Sequence, residues 1–205
     1  MRALKSLLVS AALIAAPAAA LAQGAPPVIT NPDQVDAGAY TLESTHARIE
    51  FRVDHLGFSE WYGDFANAKG TATFDPKKPS ASKVDITIPT ASVATTNATL
   101  DGELKSADWF DAAKFPAIAF RSTKVMPTGP GAANVAGELT LHGVTKPVVL
   151  KVKFHGAGTN VLTKAYTVGF DAVTQIKRSE FGVTKYVPLV GDEVRISISA
   201  PFEKK

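Results

Sequence analysis

From Ala47 to His55 the chain alternates without a fault: Ala47, Ile49, Phe51, Val53 and His55 share one parity, and Arg48, Glu50, Arg52 and Asp54 share the other. Side chains of an extended strand point to opposite faces with a period of two, so this stretch buries well only as a strand with one dry and one charged face. The dry face ends in a histidine. Leu56-Gly57-Phe58 breaks the alternation, and a second strand is expected from Gly63 to Asp75, leaving Trp61-Tyr62 in the connection. The same habit returns six more times, with inward candidates Val84, Ile86 and Ile88; Ile118 and Phe120; Val135, Gly137, Leu139 and Leu141; Val148, Leu150, Val152 and Phe154; Tyr166, Val168, Phe170 and Ala172; and Val194, Ile196, Ile198 and Ala200. Turn-forming residues lie between the copies: Asp75-Pro76 to Ser80, a loop from Met126 to Ala133, and His142-Gly143. Only Asn97–Asp111 differs. Leu100 and Leu104, four apart among charged residues, predict one or two turns of helix, ended by Phe115-Pro116.

Eight amphipathic strands with short connections and little helix predict an all-β fold, a closed antiparallel barrel or a sandwich. An eight-stranded barrel is either filled by its side chains or has room for one small ligand. Small residues on the dry parity, namely Ala47, Gly70, Ala72, Gly137, Ala172 and Ala200, argue for a cavity. Gly70 and Gly137 could equally mark bends or bulges where strands coil.

The first residues are read separately. Arg2 and Lys5, the apolar run Leu7 to Ala16 and the small-x-small pattern Ala20-Leu21-Ala22 predict a signal peptide over 1–22, cleaved before Gln23, and hence a periplasmic protein. Residues 23–39, rich in Pro, Gly and Ala, read as a mobile tether, with the folded domain over 40–205. Losing residues 1–22 removes two of the 22 basic residues and none of the 19 acidic ones, so the mature net charge is +1. With no basic cluster, nucleic acid is not an expected partner. Cysteine is absent, so no disulfides staple the fold.

The four histidines do not converge on a metal. His46 and His55 lie about 30 Å apart on a straight strand, while His142 and His155 fall at a turn and a strand end. Neither a Gly-x-Ser-x-Gly motif nor a cysteine nucleophile is present, and Asp101, Glu103, Asp108 and Asp111 read as a charged helix face. No catalytic or metal residue is therefore assigned, and no cofactor. His55, aimed at the dry face, is either a hydrogen-bonded core histidine or a donor to the polar end of a bound molecule. Arg178, Arg121 and Lys177 are further donors, with surface ion pairs as the alternative.

Four ordered motifs resemble those of the YceI-like family of secreted bacterial proteins: Thr45 to Ser59 with Gly63 to Phe65; Ser106 to Thr123; Val135 to Leu150; and Ile176 to Val183 with Val190 to Ile198. The resemblance implies a lipocalin-like, extended eight-stranded antiparallel barrel with one or two short helices and an internal tunnel for a polyisoprenoid or other long-chain lipid, and no catalysis. Glu43 and His46-Ala47 depart from the family's Asp and His-Ser, and Glu103 stands where a His is common. The expected ligand-binding set is Ile49, Phe51, Val53, His55, Phe65, Phe74, Ile86, Phe110, Phe120, Leu139, Leu150, Phe170, Arg178 and Phe181. Transient membrane contact and a homodimer are compatible with this reading. A ligand-free envelope or stress protein acting through protein partners, and a lipid-modifying enzyme dependent on His46 or His55, are the alternatives.

Overall fold

The computed structural model describes residues 28–205, so the expected signal peptide lies outside the described residues. In chain order the elements are β1 (Gly38–Leu42), β2 (Arg48–His55), β3 (Ser59–Phe65), β4 (Lys69–Phe74), β5 (Lys83–Pro89), β6 (Val93–Ala94), α1 (Ala98–Lys105), β7 (Ala117–Gly129), β8 (Ala132–Leu141), β9 (Val144–Thr159), β10 (Tyr166–Lys177) and β11 (Val190–Lys204). Every pairing is antiparallel. The ladder β1-β4-β5-β7-β8-β9-β10-β11 returns to β1, where Leu42 stands opposite Phe202, and so closes an eight-stranded barrel.

The first barrel strands are bent rather than straight. β1 and β2 both pair with β11, through Phe202–Lys204 and through Val190–Ser199, and are separated by a turn at 43–47. Glu43 builds that turn: its carboxylate accepts from the amides of Thr45 at 2.8 Å and His46 at 3.1 Å and lies 2.5 Å from His46 Nδ1. Burial would raise the Glu43 pKa, but these bonds outweigh it and hold the carboxyl below its usual range. β3 pairs with β2 and β4 with β1, so the strand expected from Gly63 to Asp75 is divided at Ala66–Ala68. Trp61 and Tyr62 accordingly sit inside β3, not in a connection. The loop expected from Met126 to Ala133 is also shorter, because β7 runs on to Gly129 and turns through Pro130 and Gly131.

Two glycines show why small residues recur on the inward parity. A Cβ on Gly63 would meet the Phe51 ring at 2.3 Å, and one on Gly137 would meet the Phe120 ring at 2.5 Å. Gly137 also sits opposite a register shift at Ser122/Lys124, so it serves a bulge and a close ring contact together.

The barrel has two unlike ends. Where β2 stops and β11 starts, α1 and the turns at 106–116 and 178–183 supply buried Leu104, Trp109, Phe181 and Val183. Asn97 caps α1, its side chain accepting from the amides of Thr99 and Leu100. At the opposite end lie the β4–β5 loop, the β7–β8 turn and the β9–β10 hairpin. From Val28 onward the expected tether is packed there instead: Ile29 exchanges backbone bonds with Ala157 at 2.7 and 3.0 Å, Pro32–Gln34 form a short 3-10 turn, and Val35 is buried. β9 outruns β8, whose last partner is Lys153, and Ile29 takes up the edge left free.

Candidate ligand-binding cavity

The inward parity of the strands does not fill the barrel. Ile49, Ile86, Leu139, Leu150, Phe170, Ile196 and Ile198 all point inward, yet each is only half-buried. Between them lies a cavity of about 560 Å³ with almost wholly apolar walls. Apart from Ser199 in mid-β11, its exposed lining residues, among them Asn31, Asp33, Pro79, Lys83, Pro127 and Pro130, lie at the β7–β8 turn end, which is therefore the mouth. Buried Leu141, Val148, Ile176, Arg178 and Val183 form the floor. From Ala132 to Leu141 the lining follows β8 for roughly 30 Å of strand, at about 3.3 Å per residue. Two aromatic clusters brace it. Phe74, Phe154, Phe170 and Phe202 surround the mouth half, with Phe74 and Phe170 centroids 4.8 Å apart; Phe51, Phe65 and Phe110 stand nearer the floor, at 5.5 Å spacing about Phe65.

Of the residues expected at the site, Ile49, Phe51, Phe65, Phe74, Ile86, Phe110, Phe120, Leu139, Leu150, Phe170 and Arg178 border this cavity. Val53, His55 and Phe181 do not. Val53 and His55 have the inward parity and stand opposite Val194 and Val190 at the level of the floor, but neither borders the cavity; the His55 ring is 6.2 Å from Trp61, and Phe181 is packed in the solid core. Ala47, Ala172 and Ala200 line the cavity, whereas Gly70, Ala72 and Gly137 do not. Arg121 instead bonds to Asp85 on the outer surface. Several lining residues carry no inward signal in the sequence, among them Leu42, Val125 and the N-terminal Asn31, Pro32, Asp33 and Val35. The N-terminal four sit across the mouth, and their Pro- and Asp-rich composition carries no periodic signal.

Among the described residues Arg178 is the one charged side chain lining the floor. It is 5 % exposed, and its Nε, Nη1 and Nη2 donate to the carbonyls of Gly191, Val183 and Val190 at 2.8, 3.0 and 2.8 Å. Its guanidinium carbon lies 5.3 Å from the Trp109 ring. Burial disfavours its charge and lowers its pKa, and Asp192 offsets only part of this. Asp192 itself is raised by burial but held below its usual range by the Ser179 amide and hydroxyl, then by Arg178 and Lys177. Two of the five guanidinium N–H groups thus fasten the 178–183 turn to the start of β11, one closes the turn on Val183, and two have no protein acceptor among the described residues. The family-departing Glu103 accepts from Trp109 Nε1 at 3.1 Å and so steadies the same corner. Among the described residues no group of three or more His, Cys, Asp or Glu is placed to hold a metal ion, and no helix is long and apolar enough to cross a membrane.

A closed eight-stranded antiparallel barrel around an apolar cavity places this protein among the hollow β-barrels with room for one small ligand. Residues 40–202 match the YceI-like domain, and the chain belongs to that family. Protein YceI of Salmonella arizonae is 43 % identical over 157 residues, covering 77 % of this chain and 81 % of the relative. Among solved structures, BcnA of Burkholderia cenocepacia superposes with a TM-score of 0.71 at 27 % identity, over 78 % of this chain and 98 % of that one. A polyisoprenoid-binding domain from Saccharophagus degradans shares the fold, with a TM-score of 0.61 at 14 % identity over 81 % of this chain and 98 % of the other.

Proposed function

We propose that this protein is a periplasmic lipid-binding protein that holds one isoprenoid-type chain inside the barrel for transport or storage, binding its cargo rather than converting it. The observation that carries this reading is the half-buried inward face around a cavity of about 560 Å³, within the range typical of small-molecule sites. The ligand named for the Saccharophagus degradans domain supports the chemical class. Export is read from residues 1–22. The polar end of the cargo lies at the floor, where the two unengaged N–H groups of Arg178 are the available donors.

The driving force is not transfer from water. At about 0.8 kcal/mol per buried methylene, a chain of roughly 40 carbons would gain more than the ~18–21 kcal/mol ceiling on non-covalent affinity. Such a lipid starts in a bilayer, where the same burial is already satisfied. The barrel has only to match the membrane, and selectivity comes from cavity length and a few polar contacts.

The test is native mass spectrometry and organic extraction of protein purified from its own envelope. One prenyl lipid per chain is expected. Ile49→Glu, which puts a carboxylate into the cavity wall, should abolish co-purification, and Glu50→Ala on the outer face should not. A folded protein that carries nothing and takes up no added prenyl lipid would overturn the reading, and equal retention by both variants would overturn the face assignment.

A further inference from the structure

We propose that the open end of the barrel is a docking face for an anionic bilayer, an inference that extends the lipid-carrier reading by saying where cargo is exchanged. The β9–β10 hairpin overhangs the mouth, reaching from Phe154, whose amide donates to the Gly131 carbonyl, to a tip at 160–165. That tip is firmly built. Asn160 Oδ1 accepts from the amides of Leu162 and Thr163, Asn160 and Ala165 are joined by a backbone bond of 2.8 Å, and Lys164 Nζ donates to the Val161 carbonyl. What it presents outward is apolar: Leu162 is 88 % exposed and Val161 54 %. Val28, also exposed, lies against Gly156 on the same hairpin.

The charges around this end favour one occupant. Lys77, Lys78, Lys83, Lys164 and Lys205 form no ion pair among the described residues. The acidic groups beside them are engaged: Asp36 with Lys204, Asp171 with His155, and Asp75 with the amides of Lys77 and Lys78. Asp33 at the mouth and Glu203 on the neighbouring end of β11 have no ion pair among the described residues. At the other end α1 and the turn after it carry Asp101, Glu103, Asp108 and Asp111. With Lys105 and Lys114 set against those four acids, α1 and its turn carry a net −2, whereas the mouth sets the six lysines Lys77, Lys78, Lys83, Lys164, Lys204 and Lys205 against the four acids Asp33, Asp36, Asp75 and Glu203, a net +2, so the open end is the more basic of the two. An apolar tip framed by lysines fits the headgroup layer of a membrane containing anionic lipid, with Leu162 entering the acyl boundary and the lysines remaining among the phosphates.

The experiment is co-sedimentation of the mature protein with vesicles of phosphatidylglycerol and phosphatidylcholine in equal parts, against phosphatidylcholine alone, with native mass spectrometry of every sample. Binding only to the anionic vesicles, lost at high salt, is expected. Reversing Lys77 and Lys78 to Glu should lower partitioning at least about fivefold for each lysine, and Leu162→Asp should lower it about tenfold. Phe58→Ser is the control: Phe58 is 88 % exposed at the opposite end, beside exposed Leu56, Tyr186 and Leu189. No binding of the wild type to anionic vesicles would overturn the proposal, as would loss in Phe58→Ser with Leu162→Asp unaffected, which would assign docking to the closed end. Vesicle binding by protein free of lipid in every sample would uphold the docking face and defeat the carrier reading instead.

Discussion

Tyr40 ties the mouth to the barrel wall through one hydroxyl. Its ring is fully buried against Phe74 and Tyr166, and its hydroxyl donates to the Asp36 carbonyl at 2.6 Å, while the Tyr166 hydroxyl accepts from the Asp36 amide at 3.2 Å. Burial first, then the neighbouring Tyr166 and Asp36, push the Tyr40 phenol up to about 12 from its ordinary 10.0. A raised value in the folded state means that the fold prefers the neutral phenol. The stabilisation is therefore complete below pH 10 and is lost as pH climbs from 10 through 12, a difference of about 2–3 kcal/mol at most. Tyr40→Phe should cost about 1 kcal/mol at neutral pH for the lost hydrogen bond and then show a shallower decline above pH 10. Denaturant titrations of both proteins from pH 8 to 12 measure this, and parallel declines would remove Tyr40 as the cause. Arg178 makes the complementary point about single residues. Its type and position mark it as a donor in the sequence, but its three carbonyl partners come from a turn and a strand start that no local pattern aligns with it.

Among the elements, the stretch from Ile29 to Val35 is the one whose role its composition conceals. Alternation made eight strands and the inward positions of Ile49, Phe51, Ile86, Leu139, Leu150 and Phe170 legible, because parity is a local property and each strand declares it independently, but it left barrel and sandwich open, and the family resemblance pointed to the barrel. The bends between β1 and β2 and between β3 and β4 were not legible, since they depend on which part of β11 or β5 each stretch meets. Parity alone does not decide what the cavity touches: His55 keeps the inward phase but does not border the cavity. The N-terminal strap has no periodicity at all, and what holds it is the free edge of β9, a feature of the ladder lengths. Since Asn31, Pro32, Asp33 and Val35 line the mouth, the strap is expected to slow the passage of any cargo. Ile29→Pro removes the amide that donates to Ala157 and should loosen the strap without unfolding the barrel. Hydrogen exchange should show Ala157 losing protection while β10 and β11 keep theirs, and a bound fluorescent fatty chain should dissociate several-fold faster. An unchanged dissociation rate with Ala157 deprotected would mean that cargo does not pass beneath the strap.

At the scale of the whole molecule, a hollow barrel divides its apolar residues into two thermodynamic kinds. Leu104 packs in the solid end among Trp109, Phe181 and Val183, so Leu104→Ala loses transfer energy and leaves a void, a change that typically costs 2–5 kcal/mol. Leu150 lines the cavity and is already half open to it, so in the empty protein Leu150→Ala removes contacts on one side only and should cost about 1–2 kcal/mol. Bound cargo reverses the second expectation. An apolar chain in the cavity supplies the missing contacts to Leu150 and none to Leu104, and a ligand that binds only the folded state adds to its stability. The penalty of Leu150→Ala should therefore rise by about 1 kcal/mol when the protein is loaded, whereas that of Leu104→Ala should stay constant. Denaturation of both variants and the parent, each delipidated and each reloaded with a prenyl lipid, yields this difference directly. If the two leucines respond alike to loading, the cargo does not touch the wall at β9, and the cavity holds its ligand elsewhere or not at all.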